Sequence, residues 1–140
     1  MQYKRIQNVL FIRPERGEEL LTVLKTACLE NGVKLGLVSG IGATDDFTVG
    51  RFDLSAKRYD EIHRTGAHEI VSLLGNITTM NGEYYAHLHL AAADGEGQMT
   101  GGHLNRAVIS ATGEITVTIL DGEVDRVRDE AIGINLWKLD

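Results

Sequence analysis

"EIVSLLGNITTMNGEYYAHLHLAAA", residues 69–93, decides how this chain folds. Two runs of apolar and β-favouring residues flank Asn81-Gly82. An Asn-Gly pair accepts the positive φ angles of a type I′ turn, whose twist matches that of the strands it joins. The segment therefore predicts an antiparallel hairpin. On its second arm His87 and His89 stand two residues apart, so they share one face, while Leu88 and Leu90 take the other. On a strand the two histidine Cα atoms are expected to stand roughly 6.5 Å apart.

Working outward, Asp94-Gly95-Glu96-Gly97 predicts a second turn. HLNRAVISA (103–111) and EITVTILDG (114–122) read as strands separated at Thr112-Gly113, and INLWKL (134–139) as a closing strand that packs Trp137. Upstream, LGLVSGIGAT (35–44) reads as a strand entering a glycine-rich bend. DFTVGRFDL (46–54) and KRYDEIHRT (57–65) read as two strands joined near Ser55-Ala56. IQNVLFI (6–12) predicts a first strand, ended by Pro14. Only residues 18–30 change period: Leu20, Leu21, Leu24, Ala27 and Cys28 recur at helical steps, with Asn31-Gly32 as the stop. The expected architecture is α+β, with one main helix packed on a mainly antiparallel, bent sheet in a single compact domain, 1–140. So many apolar positions with so little helix imply that another subunit buries part of the surface.

Composition narrows the function. A chain of 140 residues supports one modest core, and sixteen glycines against a single proline suit turn-rich β-structure. The net charge of −6 opposes a non-specific hold on nucleic acid, which requires clustered Lys and Arg. No Lys or Arg lies between Arg64 and Arg106, an interval that contains Glu69, Glu83, Asp94 and Glu96. Cys28, the only cysteine, falls on the apolar side of the helix and reads as a small buried hydrophobe. The first residues carry no apolar signal run and nothing approaches a membrane span, so a cytoplasmic location is expected.

The chemistry concentrates in three histidines. After the turn at 94–97 the chain comes back, so His103 is expected to approach His87 and His89 from an adjacent strand, with Gly101 and Gly102 permitting close passage. Three neutral imidazoles that leave one or two positions free match an open zinc site, although imidazole also suits iron, nickel or copper. A divalent transition metal, zinc first, is the expected cofactor. His63 and His68 read as surface residues. Glu114 and Arg106 are the candidates for catalytic assistance, the first as general base, the second as partner for a carboxylate substrate. Arg106 faces away from His103 on a regular strand, so its role requires a bulge or a neighbouring subunit. GIGAT (40–44) opens no helix and is not a phosphate loop.

Taken together, GIGAT, the block HLHLAAADGEGQMTGGHL (87–104), EITVTIL and RDEAIGINLWKL resemble, over almost the whole chain, the PPC domain, named for plants and prokaryotes. The resemblance implies an α/β or α+β domain that assembles as a trimer, with His87, His89 and His103 in the place of the family's HxH…GGH metal site. In plants the domain follows an AT-hook, an Arg-Gly-Arg-Pro segment that enters the minor groove. This chain has no such segment, so the DNA-binding description loses its physical support here. The fold also looks related to acetolactate decarboxylase, a zinc enzyme with three histidine ligands, but a parallel of folds transfers no activity. Three functions stay open: a metal-binding regulatory module with a small-molecule ligand at the metal, a zinc-dependent lyase or hydrolase, and a DNA-binding trimer.

Overall fold

The computed structural model describes residues 1–140. In chain order the elements are β1 (Gln2–Ile6), β2 (Val9–Arg13), α1 (Leu20–Glu30), β3 (Gly36–Asp53), β4 (Arg58–Met80), β5 (Glu83–Ala93), β6 (Met99–Ile119), β7 (Asp125–Asp129) and β8 (Ile134–Lys138). The first six strands form one antiparallel sheet in the order β1-β2-β6-β3-β4-β5. A further pairing of β5 with β6 closes β6, β3, β4 and β5 into a ring. β7 and β8 form a separate hairpin. The α+β, bent-sheet expectation holds.

The hairpin at 69–93 is as read: Asn81 and Gly82 carry φ angles of 54° and 77°, and Met80 pairs with Glu83. Elsewhere the sequence breaks strands that the structure continues. β3, β4 and β6 run for 18, 23 and 21 residues. The bend expected in GIGAT is a pair of register shifts, between Gly40 and Gly42 and between Thr44 and Asp46. A bulge of this kind bends a strand without ending it. The turn expected at Thr112-Gly113 is absent, because Gly113 sits opposite Gly42 and the β3–β6 ladder continues on both sides. Conversely, the single strand expected at 6–12 is a hairpin: Gln7 takes φ 53° and Ile6 pairs with Val9.

The helix begins two residues later than its periodicity predicts. Glu19 stays extended (φ −86°, ψ 125°) and its carboxylate accepts from Leu21 N at 3.0 Å and Thr22 N at 2.8 Å. Those amides have no partner within the helix, so the carboxylate caps them. The helix buries Leu20, Val23, Leu24, Ala27 and Cys28 against a core that includes Leu88, Leu90, Ile109 and Val117. Burial pushes the Cys28 thiol up to about 12, which keeps it protonated and inert. Trp137 does not join this core: it is 51% exposed, because the β7–β8 hairpin lies on the outside of β4.

Glu19→Ala removes the cap and a weaker contact at 3.4 Å to Ala107 N on β6. Chemical denaturation is expected to show a loss of about 1 kcal/mol, with an unchanged m-value.

Candidate metal centre

Register explains why the histidines meet. On β5, His87 lies opposite Asn76 and His89 opposite Leu74 of β4. Where β5 and β6 pair, His89 lies directly opposite His103. Opposed residues of an antiparallel pair share a face, so the ring closure brings all three imidazoles to one side of the sheet. Leu88 and Leu90 point the other way and are buried, each 1% exposed. Two close backbone approaches make the geometry possible. A Cβ on Gly75 would overlap the His87 carbonyl oxygen, and one on Gly102 would stand 2.7 Å from the Gly50 carbonyl oxygen. The expectation of close passage at Gly102 is thus met.

The ring centroids are 5.3 Å apart for His87–His89, 5.1 Å for His87–His103 and 5.8 Å for His89–His103. One nitrogen from each ring lies within 4.8 Å of the others. Tetrahedral nitrogen ligands at the usual Zn–N bond length stand roughly 3.3 Å apart, so modest side-chain rotations bring the set onto one ion. No protein hydrogen bond engages these rings, whereas the other two histidines are both engaged. Donor type, mutual distance and free nitrogens fit a metal ion.

The electrostatics agree. Burial, followed by the charges of His103, Arg126 and His89, pulls the His87 pKa down to about 4. Burial and then His89 lower that of His103 as well. At neutral pH both rings therefore keep the lone pair that a metal needs.

The other candidates are placed elsewhere. His63 is exposed, with Nε2 2.8 Å from Asp46 Oδ1. His68 is half-buried, its Nδ1 2.7 Å from the Gly66 carbonyl oxygen and its ring edge-on to Phe47. The bulge that Arg106 required is present, since β6 gains a residue between Leu104 and Arg106 relative to β3. The guanidinium nevertheless binds Asp46, Nη1 to Oδ2 at 2.6 Å, and does not line the histidine cavity. Glu114 lies opposite Ile41 and borders a different hollow with Tyr3 and Phe11. Within the chain, neither residue reaches the trio.

A cavity of about 470 Å³ opens beside the histidines. Tyr59, Tyr85, Arg126 and Asn135 line it, and no Asp or Glu does. The sequence offered no signal for Arg126, which sits in the charged run VDRVRDE.

The sequence profile of the Plants and Prokaryotes Conserved (PCC) domain matches residues 1–121. The chain belongs to the PCC-domain family. Its structure superposes on those of several relatives. A Bacteroides thetaiotaomicron protein, provisionally described as DNA-binding, is 30% identical with a TM-score of 0.95 over 98% of this chain and 96% of that one. A metal-containing protein of Archaeoglobus fulgidus is 27% identical, with a TM-score of 0.88 and 99% of both chains covered. A Pyrococcus horikoshii plant- and prokaryote-conserved (PPC) protein is 28% identical, with a TM-score of 0.83 over 98% of this chain and 93% of that one. Among curated proteins no sequence matches significantly. No helix of the PCC domain is long and apolar enough to cross a membrane.

A depressed histidine pKa means that the unfolded chain binds protons the fold refuses. His87, at about 4 against an ordinary 6.5, therefore contributes stability that is complete above pH 6.5 and lost as the pH falls toward 4. Melting curves of metal-free protein across that range are expected to fall with pH, and the His87→Gln variant to show a flatter profile.

Proposed function

We propose that this PCC-domain protein is a homotrimeric metal-binding module, holding a divalent transition ion, zinc first, on His87, His89 and His103. The observation that carries the reading is the convergence of three ring nitrogens within 4.8 Å of one another. The metal-containing archaeal relative adds support. A tetrahedral ion held by three histidines would keep one position free, and all three histidines line the cavity. There the ion would act as a Lewis acid or hold a ligand oxygen. The role is binding or regulatory rather than hydrolytic, since no carboxylate borders the cavity to serve as a general base.

A zinc-dependent lyase is the second reading, favoured by the concave shape and by Arg126 within it. It needs an acid–base group from a neighbouring subunit, because Glu114 borders a different hollow and Arg106 binds Asp46. Direct DNA binding has the relatives' provisional description behind it, but the acidic balance and the missing hook weigh against it.

The trimer rests on uncovered apolar surface. Leu37, Ile41 and Leu74 are 54%, 56% and 56% exposed. They lie on the sheet face away from the helix, and Leu74 is opposite His89. Subunits packing there would cover this surface and wall the metal site.

Elemental analysis of purified protein is expected to find about one metal ion per chain, and none in the His87→Ala, His89→Ala variant. A chelator should lower the melting temperature of the native protein only. At saturation near 1,000 times the dissociation constant the difference corresponds to about 4 kcal/mol. In sedimentation, the native chain is expected at three times the monomer mass and the Leu74→Glu, Ile41→Glu variant at the monomer mass. A native monomer removes the trimer reading.

A further inference from the structure

The cavity beside the histidines contains a cation with no acid partner. Arg126 on β7 is only 5% exposed. Its Nε donates to Thr78 Oγ1 at 2.8 Å, Nη1 to the Asn135 carbonyl oxygen at 3.1 Å and Nη2 to Asn76 Oδ1 at 2.9 Å. The Tyr85 ring lies 4.6 Å from its Cζ. Every one of these partners is neutral. A guanidinium carries five N–H groups, so donors are left over, and its charge is offset by no carboxylate. The other two arginines at the cavity differ: Arg51 stands 3.7 Å from Asp60, and Arg128 stands 3.4 Å from Glu130. Buried cations are ordinarily paired, because desolvation without a counter-charge is strongly unfavourable.

A second observation is independent of the first. Asn135, from β8, spans the same cavity: Nδ2 donates to the Tyr85 hydroxyl at 3.2 Å, while Oδ1 is buried with no partner. The two ends of a carboxamide are assigned from such contacts, and turned over, the Tyr85 hydroxyl donates to the oxygen and the unpartnered end is an N–H donor. Both residues come from the β7–β8 hairpin, beyond the 1–121 region that defines the family match. The hairpin thus adds a wall carrying an uncompensated cation and an unfilled amide position to a cavity whose other wall carries the histidines.

We propose that this cavity binds a small organic carboxylate, its carboxylate on Arg126 and Asn135 and its other end at the three-histidine position. A planar guanidinium with spare donors matches a planar carboxylate, and 470 Å³ lies within the range of small-molecule sites. Phosphate is the poorer fit, since the other two arginines at the cavity are already paired with Asp60 and Glu130, and no helix N-terminus lines it to share the second charge. The contact of the far end rests on the metal reading above; the contact with Arg126 does not.

Calorimetric titration of zinc-loaded and zinc-stripped protein with malonate, with malonamide and with inorganic phosphate tests the assignment. The zinc-loaded native chain is expected to bind malonate and not malonamide, and to bind phosphate more weakly. Arg126→Gln should weaken malonate at least about tenfold while keeping its zinc, and Arg126→Lys should recover part of the loss. Should Arg126→Gln fail to fold, Arg126→Lys carries the comparison, with a several-fold loss expected. Unchanged malonate affinity in the folded variants, equal binding of malonamide, or tighter binding of phosphate overturns the proposal, as does absence of malonate binding. If the native protein takes up no zinc, the metal reading fails by itself. Arg126-dependent malonate binding in that protein would still uphold the carboxylate site, and its absence would end it.

Discussion

The pairing of β5 with β6 is the contact on which the rest of this PCC domain depends. Without it the sheet is an open ribbon, and His103 stays with β3 while His87 and His89 stay with β4. The bond of register between His89 and His103 closes the ring and brings two distant pieces of sequence into one cluster of imidazoles. It requires backbones to pass closely, which Gly101 allows on this seam, because a Cβ there would stand 2.9 Å from the Leu90 carbonyl oxygen, while Gly75 and Gly102 do the same for the adjoining β4–β5 and β3–β6 pairings. Closure also removes strand edges that would otherwise invite pairing with other chains.

The same strands serve two solvents. Leu88 and Leu90 seal the core beneath the helix, while His87 and His89, one residue along in each case, face outward. Firm burial of the leucines gives the imidazoles a rigid base, as a metal site needs. On the outer side, burial and mutual repulsion hold His87 neutral, and Arg126 contributes to that repulsion. The arginine therefore favours unprotonated imidazoles while carrying a charge of its own, a combination suited to the metal and carboxylate proposed above.

Local signals were legible where they are chemically strong. Asn81-Gly82 marked its hairpin, the spacing of Leu20, Leu24, Ala27 and Cys28 marked the helix, and His87, His89 and His103 were expected to cluster, as they do. Strand boundaries were not legible at Gly42 and at Thr112-Gly113, because a glycine reads identically as a turn and as a bulge. Only the partner strand distinguishes them. The tail was misread for a related reason. Trp137 looked like a packed residue and nothing singled out Arg126, yet the hairpin that carries them lies on the outer side of β4, where the arginine is covered and the tryptophan is half open.

By itself the sequence determined the secondary-structure types, the face on which His87 and His89 project, and the net acidic balance of the chain. These follow from period, turn chemistry and charge, all of which act over a few residues. The tertiary structure decided that the sheet closes, that His103 arrives opposite His89, that Arg106 and Glu114 belong to other surroundings, and that Arg126 borders the site. Those outcomes depend on register between strands far apart in the chain, a quantity set by packing over the whole sheet and carried by no local motif.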